Sequence, residues 1–346
     1  MSLNELKSRN HKILEAIILA YADSAIPVGS EFLRGQNDFG VSPATIRNVM
    51  AELETQGLIT HPHTSAGRVP TDLGYRYYVD VLMEPKRVSF EEEKQVEELS
   101  RLKIEDPLEL LDKAAHLLAE ITQEAGVVLV PQLAQGSFRQ FKLIPVGDQE
   151  ILGVLIASEG MVRHAMLELD EIFEDDLLGQ VERFLNQELA GMPLDKVTAY
   201  LEQILLAAHD DVSQLYRHAI QLFQLESFFE EEPAVILDGT QRIFEAPEFQ
   251  DLERTRRLLR GLENKEELVD ILRRDVAADD VKLHIGLENR GTHLTDCTIA
   301  AASYRLRDGV TGAIGVIGPT RMNYPRVTAL VKRVAEAVSR SSQERD

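Results

Sequence analysis

The sequence feature that most constrains this chain is a strong helix start that follows a short turn bracketed by glycines. Ser42 and Pro43 form that start, because a serine side chain caps the first turn and proline lacks an N–H that the first turn leaves unused. The helix is predicted to end near Gln56, since Gly57 suits the position that follows a helix. A capped helix placed directly after a tight turn predicts a small helical unit.

Two further helices are predicted upstream of this one. Apolar side chains recur at helical spacing over residues 4–23, and that helix must stop before Pro27. Ser30 is predicted to cap a short second helix over residues 31–34, and glycines bracket the turn over residues 35–40. The three segments together predict a helix-turn-helix arrangement.

The predicted third helix carries an apolar face and a polar face. The apolar positions are Ile46, Val49, Met50 and Leu53, and the polar face shows Ala44, Thr45, Arg47, Asn48 and Ala51. Arginine can pair with the edge of guanine and asparagine with the edge of adenine, while small neighbours let a helix enter the major groove. Ser42 and Thr45, near the helix N-terminus, are placed to bond phosphates. The pattern predicts a DNA-recognition helix.

A short hairpin is predicted after this helix. Strands are expected at residues 58–60 and 68–69, with the turn at residues 64–67 and a new helix that begins at Pro70 and Thr71. The hairpin groups expected to face DNA are His61, His63, Ser65 and Arg68. An arginine beside a glycine turn can enter a minor groove or neutralise phosphate. The pattern leaves two other interpretations open: an ordinary three-helix core with a hairpin, and a protein-interaction module.

Several segments match a known bacterial family. They are SPATIRN at 42–48, PHTSAGRVPTD at 62–72, IGLEN at 285–289 and GPTRMNY at 318–324, with a weaker match in FEAPEF at 244–249. Through these segments the chain resembles the HrcA family of heat-inducible transcription repressors, and the resemblance covers essentially the whole chain. Val49 is a departure, because the family often carries an acidic residue at that position.

The resemblance implies a multidomain α+β fold. It implies an N-terminal winged helix-turn-helix over residues 1–87, a GAF-like α/β sheet domain over 88–136 and 230–346, and an inserted α+β dimerisation domain over 137–229. It also implies a homodimer that binds double-stranded DNA at an inverted-repeat operator of heat-shock chaperone operons and is kept competent by the chaperonin GroEL. One winged helix reads one half-site, so a two-fold dimer suits an inverted repeat.

Alternation and helical spacing predict the elements of the remaining chain. A charged linker with a short helix is expected at 84–107, and a helix with Leu108, Leu111, Ala115, Leu118 and Ile121 on one face precedes a buried strand at 126–130. An antiparallel meander is expected at 138–146, 151–158 and 162–169, followed by helices at 174–190, 194–206 and 210–228. A strand-turn unit near 234–244, helices at 248–261 and 264–274, strands at 281–287, 298–306 and 311–317, and a helix at 325–340 complete the prediction.

Charge is unevenly distributed along the 346 residues, whose net charge is −21. Residues 1–87 hold nine Lys and Arg against ten Asp and Glu, a net charge of −1 that leaves −20 for the rest. An acidic body repels DNA, so binding is expected only through the N-terminal unit and with strong salt dependence. No apolar run approaches the ~20 residues of a membrane span, no secretory signal is present, and a single cysteine excludes an internal disulfide. We therefore expect a cytoplasmic protein without a membrane partner.

Other chemistry is less favoured by the pattern. The glycines at 312, 315 and 318 lack the spacing of a nucleotide-binding loop and predict a closely packed strand. Arg321 is expected to pair with a carboxylate between domains rather than to bind an anionic ligand, and Cys297 is expected to be a buried thiol. The consecutive residues His209, Asp210 and Asp211 cannot all face one ion on a helix, and His284 and His293 lack zinc-like spacing.

No metal, cofactor or catalytic residue is therefore expected, and the chain is not expected to be an enzyme. Two alternatives stay open. One is a repressor that senses a small ligand through the GAF-like domain, and the other is an enzyme built on residues 88–346, for which the sequence offers no catalytic constellation.

Overall fold

The computed structural model describes most of the chain. The described residues are 8–36, 39–62, 67–102, 104, 106–131, 136–147, 150–158, 161–168, 175–207, 235–276, 280–307 and 310–343. Among the sequence predictions, His63 and Ser65 in the hairpin turn, the helix at 210–228 and the run His209 to Asp211 lie outside these residues.

Three helices and a two-stranded sheet form the N-terminal unit. The elements are α1 (Ser8–Ser24), α2 (Ser30–Gln36), α3 (Pro43–Thr55), β1 (Ile59–Thr60) and β2 (Val69–Pro70), followed by α4 (Asp72–Tyr77) and a π-helical turn (Tyr78–Leu82). Strands β1 and β2 pair antiparallel. The predicted ends of α3 are confirmed, because the Ser42 side chain accepts the Thr45 N–H and Gly57 has a φ of 75°.

The apolar faces of α1 and α3 form the core of this unit. The buried residues are Ile13, Leu14, Ile17 and Ile18 from α1 and Ile46, Val49, Met50 and Leu53 from α3, so the predicted apolar stripe of α3 is confirmed. Two local predictions are wrong. Ser30 is the first residue of α2 rather than its cap, and Pro70 extends β2, so that Thr71 caps the helix that follows.

The chain then builds two further groups of elements. In chain order they are α5 (Phe90–Ser100), α6 (Pro107–Thr122), β3 (Ala125–Leu129), β4 (Phe138–Pro145), β5 (Glu150–Ala157), β6 (Val162–Glu168), α7 (Asp175–Glu188), α8 (Leu194–Ala207), β7 (Val235–Asp238), α9 (Thr240–Glu245), α10 (Leu252–Glu263), α11 (Lys265–Asp275), β8 (Lys282–Ile285), β9 (Cys297–Arg305), β10 (Thr311–Pro319) and α12 (Tyr324–Gln343).

A five-stranded antiparallel sheet of order β7-β3-β10-β9-β8 is the larger of these groups. Successive side chains of β10 alternate between its faces: Ile314 and Val316 join the core under α5, α6 and α12, whereas Ala313 and Ile317 join the core under α9, α10 and α11. The first of these cores is continuous with the core of the N-terminal unit, where the rings of Tyr75 and Tyr324 lie 5.6 Å apart.

The predicted meander is confirmed as a separate three-stranded antiparallel sheet of order β4-β5-β6. One face of it packs on α7 and α8 around Phe138, Phe141 and Leu155. Because β3 pairs with β7, this block lies within an excursion of the chain between two neighbouring strands of the larger sheet.

Three predictions in the larger group need correction. Leu108 was placed on the buried face of α6 but is 52% exposed, because the buried stripe runs through Leu110, Leu111 and Ala114. The helix predicted from 248 begins at Leu252, where Asp251 caps it, after a short 3-10 turn. The strand predicted to 287 ends at Ile285 in another 3-10 turn.

The glycine-containing strand is confirmed as a site of close packing. A Cβ atom at Gly315 of β10 would collide with the backbone carbonyl of Ala300 in β9, and one at Gly312 would collide with the Tyr304 hydroxyl. The glycines therefore let the strands pack closely, as the sequence predicted.

Candidate nucleic-acid interface

The polar face of α3 is open to solvent. Ser42, Arg47 and Asn48 are exposed and Thr45 is half-buried. The hydroxyls of Ser42 and Thr45 lie 3.0 Å apart, so the first turn is held by a side-chain pair as well as by its cap. Asn48 has no polar partner among the described residues, which leaves its amide available to an incoming acceptor and donor.

Arg47 is oriented by the helix that precedes α3. Its Nε donates to the Ser30 hydroxyl at 3.1 Å, and a terminal nitrogen lies 3.5 Å from the Glu31 carboxylate. The side chain remains 64% exposed. Because these contacts use Nε and one terminal nitrogen, the other terminal nitrogen of Arg47 can still donate to a ligand.

One carboxylate, Glu54 in the last turn of α3, pairs with both Arg68 and His61 of the hairpin. The Nε of Arg68 donates to Glu54 at 2.9 Å, and His61 Nδ1 makes a hydrogen bond to the other carboxylate oxygen. The His61 bond, together with the charge of Arg68, holds the pKa of Glu54 below its ordinary value. The hairpin is thereby attached to α3, and the sequence prediction of His61 and Arg68 as DNA-facing groups did not include this pairing.

The return strand of the hairpin also docks on the segment before α2. Backbone bonds join Val28 and Arg68 in both directions at 2.8 and 2.9 Å. A Cβ atom at Gly67 would lie 2.6 Å from the carbonyl group of Pro27, so only glycine permits this approach. The position of Arg68 relative to α3 is therefore fixed through its backbone as well as its side chain.

Hydrogen bonds and an ion pair join helix α4 of the N-terminal unit to the larger sheet. Arg76 forms a two-point contact with Glu288, at 2.7 and 2.5 Å, and donates to the carbonyl of Leu283. The Asp72 carboxylate accepts the Leu287 N–H at 2.9 Å, and burial raises the pKa of Asp72 despite that bond. The family-like segment 285–289 thus contacts the N-terminal unit directly.

Arg321 makes a second polar contact between the larger group and the N-terminal unit. Its Nε donates to Glu248 at 2.5 Å and one terminal nitrogen donates to the carbonyl of Ala22 in α1 at 3.0 Å. The predicted carboxylate pairing is therefore found, but the carboxylate belongs to the larger group and the bond between units goes to a backbone carbonyl. Burial raises the pKa of the neighbouring Glu124 carboxyl to about 8, against the opposing effect of Arg321.

The remaining titratable residues singled out in the sequence have structural partners. His284 bonds to Asp275 at 2.9 Å and His293 to Glu267 at 2.8 Å. Cys297 is buried, and burial raises the pKa of its thiol. Within the described ranges no three His, Cys, Asp or Glu side chains group in a way that could hold a metal ion, and no helix is long and apolar enough to span a membrane.

Sequence reasoning missed Glu54, Ser30, Asp72 and Glu288. Each acts through a partner that is distant in the sequence or lies on another element, and each is of a residue type common on any surface. For Ser30 the sequence predicted a role as the cap of the second helix, whereas in the structure its hydroxyl accepts a hydrogen bond from Arg47.

The fold and site define a mixed helix-and-sheet protein with several cores, whose N-terminal unit exposes a polar helix face. Comparison with known families makes the assignment specific. The chain belongs to the HrcA family: the family model described as the HrcA protein C terminal domain matches residues 108–328.

Named relatives agree over nearly the whole length. The chain is 35% identical over 338 residues to the heat-inducible transcription repressor HrcA of Geobacter sulfurreducens, covering 98% of both chains. It is 34% identical over 340 residues to the protein of the same name from Desulforamulus reducens, covering 97% of both. A crystal structure of a hypothetical protein shares the fold, with a TM-score of 0.64 and 23% identity over 97% of this chain and 98% of that one.

Proposed function

We propose that this protein represses transcription of heat-shock chaperone operons by binding an inverted-repeat operator. The observation that carries the proposal is the solvent-exposed polar face of α3, on which Arg47 and Asn48 stand next to a serine-capped N-terminus. The names of the relatives, heat-inducible transcription repressors, support the same role. In this account residues 8–82 act as a winged helix-turn-helix, with the β1–β2 hairpin as the wing.

Each residue of the predicted site has a distinct task in the proposal. Arg47 and Asn48 read base edges in the major groove, and Thr45 assists them at the start of the helix. Ser42 and the backbone N–H groups of the first turn bind phosphate. Arg68, with His61, His63 and Ser65, contributes the wing contact, for which Arg68 must exchange Glu54 for a phosphate.

The second part of the proposal is that two copies associate through the outer face of the three-stranded sheet. Ile144 pairs in register with Leu152 and Leu152 with Met166, so apolar side chains form a row across all three strands. Ile144, Val162 and Met166 are about half exposed, at 46, 54 and 51%. Among the described residues no helix covers this row, and an exposed apolar row favours packing against an identical row, because a two-fold interface uses the same surface twice.

Regulation by the chaperonin GroEL is the third part, and it rests on family membership. A repressor whose folded dimer is depleted by heat would need a chaperone to restore it, and unfolded client proteins would compete for that chaperone. Repression would then fall when unfolded protein accumulates. The GAF-like assignment of the five-stranded sheet domain belongs to the same proposal.

Transcription in vitro tests the repressor role and its regulation by GroEL together. A template that carries a heat-shock-type inverted repeat and a template with the repeat scrambled are transcribed with increasing amounts of the full-length protein, with and without GroEL. We expect repression of the first template alone, strengthened by GroEL and weakened again by an added unfolded client. Equal transcription of the two templates at saturating folded protein would contradict the repressor role, whereas selective repression that ignores GroEL would contradict only the regulation.

A further inference from the structure

A groove of about 600 Å³ lies between the N-terminal unit and α12. Its apolar walls come from the end of the N-terminal unit and the linker, from β8 and from α12, and consist of Val79, Met83, Pro85, Val88, Val281, Leu283, Pro325 and Ala329. Most of these side chains are only partly buried, and several pack on the main core from its edge. The volume is in the range of small-molecule sites, and the walls are largely apolar, as such sites require.

Four cationic side chains border the groove. Lys332 pairs with Asp280 at 3.0 Å, and Arg333 pairs with Glu93 and Glu336. Lys86 and Arg87, in the linker, are exposed and make no hydrogen bond or ion pair with any described residue. Two acidic residues, Asp280 and Glu93, also line the groove, so its border has a net positive charge.

This positive border stands out in an acidic chain. The full chain has a net charge of −21, which repels anions from most of the surface. Two uncompensated cations at the mouth of an apolar groove therefore mark a place where an anion with an apolar body finds both charge and hydrophobic contact. A phosphate backbone would match the charge alone, because it cannot fill an apolar groove.

We propose that this groove binds a small organic anion, a carboxylate with an apolar body. The carboxylate pairs with Lys86 and Arg87, and the body packs on Met83, Leu283 and Ala329. The site touches the end of the N-terminal unit, the linker and α12 at once, so occupancy would favour the arrangement in which these three elements are together. The effect on DNA rests on the proposed repressor function, in which such a ligand would alter operator affinity by linkage.

Calorimetric titration of the full-length protein tests the site without DNA. The probe is decanoate, and decanol is the uncharged analogue. We expect saturable decanoate binding and much weaker decanol binding. The double substitution Lys86→Gln and Arg87→Gln should weaken decanoate binding by about tenfold, because it removes the charge-assisted bonds. The matched control, Lys113→Gln with Arg101→Gln, removes two exposed cations elsewhere and should leave binding unchanged.

A third variant separates the groove from its border. Ala329→Phe fills the apolar part and should abolish binding of both probes while the melting temperature stays near that of the wild type. Absence of saturable decanoate binding at millimolar concentration would overturn the proposal. Equal binding by the Lys86/Arg87 variant and its control would overturn it as well. Because no DNA is present, these outcomes are independent of whether the protein is a repressor.

Discussion

A substitution of Arg47 can show whether this side chain contacts a base or a phosphate. The contacts to Ser30 and Glu31 orient the guanidinium and leave it 64% exposed on the polar face of α3. Arg47→Ala should weaken operator binding by about 1–3 kcal/mol, roughly 5- to 150-fold, and weaken random-sequence binding much less. Fluorescence anisotropy with both duplexes measures the two losses.

The control for Arg47 is Arg256→Ala, which removes an exposed arginine from α10, where it pairs with Glu253. This variant should bind both duplexes as the wild type does. If Arg47→Ala reduces operator and random binding by the same factor, Arg47 is a phosphate contact and not a base-reading residue.

The Glu54 carboxylate is expected to compete with DNA for the wing. It pairs with Arg68 and His61, so a phosphate must displace it before either side chain can bind. Glu54→Gln should strengthen binding to operator and random DNA alike, by about two- to fivefold at low salt, because an ion pair that still touches solvent contributes little free energy. Anisotropy titrations over a salt series give the comparison.

Glu52→Gln is the matched control for this change. It removes the same charge from an exposed position of the same helix, so it reports the general effect of lowering the negative charge near DNA. A gain for Glu54→Gln that does not exceed the gain for Glu52→Gln would show that Glu54 does not restrain Arg68. A loss of affinity would show that Glu54 instead holds the wing in its DNA-binding position.

At the scale of elements, the sheet β4-β5-β6 carries the prediction of dimerisation. Met166→Asp introduces a charge into the half-exposed apolar row, and burying that charge at an interface would be unfavourable. The mass measured by light scattering should fall from that of a dimer toward the 38.8 kDa of one chain. The fold should persist, because Met166 points away from the core under α7 and α8.

Leu252→Asp provides the control for this experiment, since Leu252 is 61% exposed at the start of α10. It should leave the mass unchanged. A Met166→Asp protein that keeps the wild-type mass would place the dimer interface elsewhere.

The elements that could be predicted from the sequence are those set by local chemistry. Ser42, Pro43 and Gly57 fixed α3, and the alternation in residues 138–169 fixed the meander, because caps and period-two patterns act over a few residues. Leu108 was misplaced because an amphipathic pattern gives the period of a helix more reliably than the edge of its buried face.

For the candidate site, the positions on α3 could be predicted from the sequence, but the ion-pair partners could not. Arg47 and Asn48 follow from the face opposite the apolar stripe, which is local information. The pairing of Arg68 with Glu54 spans fourteen positions, and that of Arg76 with Glu288 spans 212, so both depend on tertiary packing. No spacing rule connects such partners, and surface acids are too numerous to choose among.

At the scale of the whole molecule, one buried carboxyl group beside Arg321 should make stability depend on pH. Burial raises the pKa of Glu124 to about 8 from an ordinary value of 4.5. Between these values the unfolded chain loses the proton more readily than the folded chain, so stability falls as pH rises from 4.5 to 8, by at most about 1.4 kcal/mol per pH unit.

Glu124→Gln should remove this contribution, because the amide stays neutral. The melting temperature of the variant should exceed that of the wild type by a margin that grows as pH rises from 4.5 to 8. Glu120→Gln, at an exposed position one turn earlier in α6, should give a pH profile parallel to the wild type. Parallel profiles for Glu124→Gln as well would mean that Glu124 is ionised in the folded protein.

We propose above all that the N-terminal unit reads a specific DNA sequence as part of a dimer. Anisotropy titration of the full-length protein with a heat-shock-type inverted repeat, a single half-site and a scrambled duplex at physiological salt measures this property. We expect the inverted repeat to bind at least about a thousandfold more tightly than the scrambled duplex, with the half-site in between. Equal, weak binding to all three duplexes by a demonstrably folded dimer would contradict it.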